Sequence, residues 1–190
     1  MTLPRRVVRL LTQPAAEWAR IAAERNDAAA VYAGHAIPLA AIPPASMLAG
    51  IALAGGRFLG SAGVVTVLTA AAMTYAILLA MPFFGALAIE QLAPRLKSDG
   101  SGGRAFALVA YASTPFWLGG VFYVLVPLWP LVWAGAAYAV YLVYVGCGIV
   151  TETPADQRLP LTLVTVIAVL FVNTALRWIA QQAGIPTYGL

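Results

Sequence analysis

Long uncharged runs alternate with short charged stretches along this chain, and that rhythm sets the fold. From Ala105 to Thr151 there is no Asp, Glu, Lys or Arg. A membrane-crossing helix needs ~20 mostly apolar residues, so this run is long enough for two. Pro127-Leu128-Trp129-Pro130 breaks it near its middle, which predicts a hairpin of span, tight turn and span. Residues 28–56 are uncharged apart from the titratable His35, and the next uncharged run ends only at Glu90. The pattern predicts five spans, at about 33–54, 64–87, 105–127, 130–150 and 160–180. The fold class is therefore an all-α integral membrane protein. It divides into two regions, a polar N-terminal segment (1–27) and a five-span transmembrane domain (28–190).

Composition agrees. Hydrophobic residues make up 62% of the chain and charged residues 9%. A soluble domain carries about 45–50% and 25%, so the bilayer must solvate much of this surface. No cleavable signal peptide is expected. Glu17, Arg20, Glu24, Arg25 and Asp27 break up the stretch after the basic start, where an apolar run would be needed.

The N-terminal segment reads as a short amphipathic helix. Pro14 suits a first helical turn. Trp18, Ile21, Ala22 and Arg25 share a stripe, while Arg20 and Glu24 are spaced to pair. Two placements fit this pattern. The helix lies on the membrane, with Arg5, Arg6, Arg9 and Trp18 as lipid-surface contacts, or it packs on its own domain.

The 90–104 loop holds Arg95, Lys97 and Arg104, and its Gly/Ser-rich end argues against packed structure there. With the N-terminus inside, the N-terminal segment, this loop and the 152–159 linker carry five, three and one Lys/Arg. Only Arg57 then lies in an outer loop, with Arg177 near the outer end of the last span. The positive-inside rule thus predicts an inner-membrane, multi-pass protein with a cytoplasmic N-terminus and an outside C-terminus.

Candidate chemistry is sparse. One Cys (Cys147) and one His (His35) are too few for a protein-only zinc site or a nucleophilic triad. No Gly-rich loop has phosphate-binding spacing, and the dispersed charge leaves no nucleic-acid footprint. We expect no catalytic, cofactor or metal residues and no enzyme activity. A polar intramembrane face is predicted from Tyr111, Ser113 and Thr114 before Pro115, together with Asn173 and Arg177 on the last span. The bland alternative is hydroxyls bonding carbonyls loosened by proline, and an arginine snorkelling to water. Gly119-Gly120 and the seam of Gly135, Ala139 and Gly146 suit close helix packing, and Tyr138, Tyr141 and Tyr144 suit packing and anchoring.

Two stretches carry a family resemblance. One is Gln13-Pro14-Ala15-Ala16-Glu17-Trp18 ahead of a mixed-charge helix. The other runs from Tyr111-Ala112-Ser113-Thr114-Pro115 through the hairpin to Tyr138-Ala139-Val140-Tyr141-Leu142-Val143-Tyr144-Val145-Gly146. With five spans, the chain resembles the Yip family of Ypt/Rab-interacting membrane proteins, most of all its bacterial branch. The resemblance implies a non-enzymatic, membrane-organising or adaptor protein. Its eukaryotic members act in vesicle trafficking and contact Rab-type GTPases. This chain lacks their longer cytosolic N-region and their Asp-Leu-Tyr-Gly-Pro motif, which argues against GTPase binding. Expected partners are membrane lipids and an unidentified membrane protein or a second copy. The rival function is a small permease or channel using kinked spans and the last helix.

A reporter active only in the cytoplasm is expected to work when fused near Ser101 and to fail when fused after Leu190. A cytoplasmic C-terminus would overturn the five-span arrangement.

Overall fold

A computed structural model describes residues 2–24, 27–53, 63–185 and 187; the expected outer loop around Arg57 lies outside them. Five helices are long and apolar enough to cross a membrane: Ala28–Leu53, Gly63–Leu92, Gly102–Val124, Leu131–Val150 and Arg158–Gln182. They are the predicted spans with shifted ends. The second starts near its predicted position but continues past 87 to Leu92, because Glu90 and Gln91 extend the helix as well as apolar residues do. The third stops at Val124, where the backbone tightens into short 3-10 turns ahead of Pro127 and Pro130. No strand occurs among the described residues.

Two short helices precede the spans: α1 (Leu3–Thr12) and α2 (Pro14–Ala23), each with proline in its first turn. The single predicted N-terminal helix is thus two, divided at Gln13 where the backbone leaves helical geometry. Proline at the start of a helix loses only a donor that has no partner there.

The first span is irregular. Asp27 caps it by accepting from the Ala29 N–H at 3.1 Å. A π-turn at Tyr32–Ala36 then precedes Pro38, and a further helix runs from Ile42. Such bulges move side chains off the helical face they would otherwise share.

The third span is the centre of the bundle. Within its most apolar window 72% of residues are buried inside the protein, against 17% in the fifth span. Every residue from Ala105 to Ala112 is buried. The first, second and fourth spans pack directly on it, while the fifth lies against the second and fourth. The remaining side is covered by α1 and α2. Leu10, Trp18 and Ile21 are each fully buried, in one core with Leu108, Leu142 and Cys147. Leu3 and Val7 pack on a second cluster around Leu39 and Trp117.

Small residues set the helix spacing where the sequence put them. A methyl group on Gly135 would collide with the Pro115 carbonyl, and one on Gly120 with the Pro43 ring. At Gly146 it would strike Leu108 and the Trp18 indole, so this glycine makes the notch that admits Trp18. Close approach of backbones is how helices associate where lipid offers no hydrophobic driving force.

The 90–104 loop departs from expectation, because it is tied down. The Asp99 N–H donates to the Thr151 carbonyl at 2.7 Å, and the Ser98 hydroxyl donates to that of Thr153 at 3.0 Å. Arg104 pairs with both Asp99 and Glu152 at 2.9 Å. Partners far along the chain, rather than local propensity, order this segment.

Candidate functional site

Two groups of polar side chains inside the bundle contain the candidate residues. The first lies where α1 and α2 meet the third span. The Arg6 guanidinium donates to the Tyr111 hydroxyl at 2.6 Å and lies over its ring, 5.1 Å from the centroid. The same guanidinium bonds Glu24 and sits 3.4 Å from Glu17. Arg9 and Arg20 stand at 3.9 and 3.8 Å from Glu17. Arg20 therefore pairs backward to Glu17, and the expected Arg20–Glu24 pair gives way to Arg6–Glu24.

Glu17 is 1% exposed. A carboxylate that deep is held only where cations face it. Burial alone lowers the Arg6 pKa, but hydrogen bonds to Glu24 and Tyr111 outweigh it and the net shift is upward. Arg6 is thus a permanent cation, and α1 stays charged at any physiological pH.

Tyr111 leads on to His35 and Thr114. The His35 and Tyr111 rings meet edge to face at 4.5 Å. Pro115 cannot donate to the Tyr111 carbonyl one turn back. The Thr114 hydroxyl replaces that bond, donating at 2.6 Å. Its proton is then committed, so it accepts from His35 Nε2 at 2.8 Å. His35 is held as the Nε2–H form, with Nδ1 buried and without a hydrogen-bond partner.

The second lines a cavity of about 870 Å³ on the far side of the third span. Thr74, Ser113, Tyr123, Thr165, Asn173, Thr174 and Arg177 contribute its polar lining, and the walls are otherwise mostly apolar. Arg177 Nε donates to Asn173 Oδ1 at 3.0 Å, one turn away on the same helix.

The predicted polar face is therefore split. Tyr111 and Thr114 join His35 and Arg6, whereas Ser113, Asn173 and Arg177 line the cavity. A proline kink after Thr114 and a helical turn of about 100° per residue send adjacent side chains to opposite sides. The expected lipid-surface contacts are also corrected. Trp18 is fully buried against Gly146 and cannot reach headgroups, and Arg6 turns inward to Tyr111. Arg5 is exposed and Arg9 half-exposed, so lipid contact by these two is still a proposal. Glu17 and Glu24 were not expected at the site. The one available signal was Glu17 beside Trp18 within a stripe that also holds Ile21.

Cys147 is buried and donates to the Tyr144 carbonyl at 3.1 Å. Among the described residues, no three His, Cys, Asp or Glu side chains come together to hold a metal ion.

Five apolar helices, the third of them the most buried, define a multi-pass, all-helical membrane protein. The Yip1 domain matches the chain over residues 8–176. The chain therefore belongs to the Yip1 domain family, as the motifs around Trp18 and Tyr111 suggested. No curated protein and no solved structure matches it.

Replacing Arg6 by Met should loosen α1 and α2 from the bundle. It strands Glu17 away from its nearest cation, and breaking a buried pair costs about 3–5 kcal/mol. Amide exchange across residues 3–23 is expected to rise sharply, while the third span keeps its protection. The same experiment on Trp18→Ala should give a similar release, since deleting a buried tryptophan costs about 3–5 kcal/mol. Unchanged exchange in both variants would remove the docking role given to these residues.

Proposed function

We propose that this protein is a non-enzymatic membrane organiser or adaptor, working through helix–helix and lipid contacts. The observation that supports this most is how its intramembrane polar groups are used. Arg6 meets Tyr111, His35 meets Thr114, and Arg177 meets Asn173. Each is engaged in holding one helix to another or one side chain to its neighbour. The one hydroxyl–imidazole contact among them, Thr114 with His35 at 2.8 Å, gives its hydroxyl proton to the Tyr111 carbonyl and not to the ring, so it is not arranged as a nucleophile and base.

The fifth span supports the same reading. It leaves Leu163, Ile167, Leu170 and Phe171 exposed along one side. That side is free for lipid, for a partner helix or for a second copy. A small permease would instead need a polar path across the bundle. The cavity reaches Arg177 but not Tyr111, and beyond it the bundle is filled by Phe106, Leu108 and Leu142.

The test combines contact and transport. A photo-cross-linking residue at position 167 or 171, activated in native membranes, is expected to give one discrete adduct with a membrane protein or a second copy. Purified protein in vesicles should show no solute flux above that of empty vesicles. Saturable flux from monomeric protein would contradict the adaptor reading and favour the permease.

A further inference from the structure

The two halves of the bundle are built differently. Around Ala105–Ala112 the core is solid, filled by α1, α2 and four of the spans. The other half holds the cavity of about 870 Å³, to which all five spans contribute. Its shape and chemistry are those of an amphiphile. Thr165 lines its deep end and Arg177 the other, on a single helix. Twelve residues of helix rise about 18 Å. Half of a bilayer's hydrocarbon core is about 15 Å. The cavity is thus about one leaflet long.

Most of its wall is apolar, and its cation lies towards one end. Ile51, Leu78, Met81, Val143 and Val169 make the walls apolar. Apolar walls of this kind hold hydrocarbon better than water. The cation sits near the end of the fifth span, only a few residues before the helix closes at Gln182. Asn173 fixes the guanidinium through Nε. A guanidinium presents forked donors that match phosphate oxygens, which an ammonium does not.

We propose that this cavity binds an anionic phospholipid from the leaflet on the Arg177 side, with an acyl chain between the spans and its phosphate at Arg177. The second observation behind a single lipid occupant is the deep end. There Val109, Ala112 and Val143 line the space and are themselves buried members of the solid core, so the cavity abuts filled bundle at that end. The site is independent of the adaptor reading, since partner contact on the fifth span does not need the lipid.

The test weighs intact full-length protein by native mass spectrometry, released from nanodiscs holding equal parts phosphatidylglycerol and phosphatidylcholine. One retained phosphatidylglycerol per chain is expected, held about tenfold more tightly than phosphatidylcholine, as a charge-assisted hydrogen bond allows. Arg177→Gln should bring the two lipids to equal retention, and Arg177→Lys should keep part of the preference. The double substitution Ala136→Trp with Val169→Trp, which narrows the cavity without touching the charge, should remove both adducts. Equal retention of the two lipids by the unaltered protein would overturn the proposal, and that comparison stands even if Arg177→Gln does not fold. A dimer mass without lipid, lost on narrowing the cavity, would overturn it in favour of a second copy.

Discussion

From Ala105 to Ala112 the third span has no face uncovered by protein, and the rest of the structure answers that constraint. A helix apolar on every side could sit in lipid alone, so hydrophobicity does not bury it. What does is shape and polarity. Tyr111 offers a hydroxyl and a ring face, and Arg6 takes both. Gly146 opens a notch beside Leu108, and Trp18 fills it. The two N-terminal helices thereby act as a further wall beside the first and fourth spans. Their charged side chains make this wall specific, because a misplaced Glu17 would lie buried without a cation.

Proline supplies the second device. Pro115 removes a backbone bond in the most crowded helix, and Thr114 restores it. The restored bond turns the threonine into an acceptor, and His35 on the first span uses it. A local defect of the third span thus becomes a link to the first. The π-turn at Tyr32–Ala36 lies around His35, where a regular helix would aim the ring along a different line.

Much of this was legible in the sequence. The spans follow from uncharged runs, and the hydroxyl repair before Pro115 follows from proline chemistry. The family resemblance rested on Pro14, Glu17, Trp18 and the Tyr111–Pro115 stretch, and of these Glu17, Trp18 and Tyr111 turn out to meet at one junction around Arg6. The placement of α1 and α2 was not legible. An amphipathic helix with Trp and Arg shows the same periodicity whether it faces headgroups or another helix. Which span is central was hidden too, because all five are apolar enough to face lipid. The cavity was masked by Ala139, which read as a close-packing position although it lines open space.

Central to this architecture is that α1 and α2 belong to the bundle rather than to the membrane surface. Tyr138 on the fourth span donates to the Leu11 carbonyl at 2.9 Å, so position 138 reports on that directly. With a photo-reactive phenylalanine analogue at 138, illumination in native membranes followed by peptide mapping would read its neighbour. Cross-links within residues 3–12 are the predicted result; adducts to lipid alone would contradict the docked arrangement.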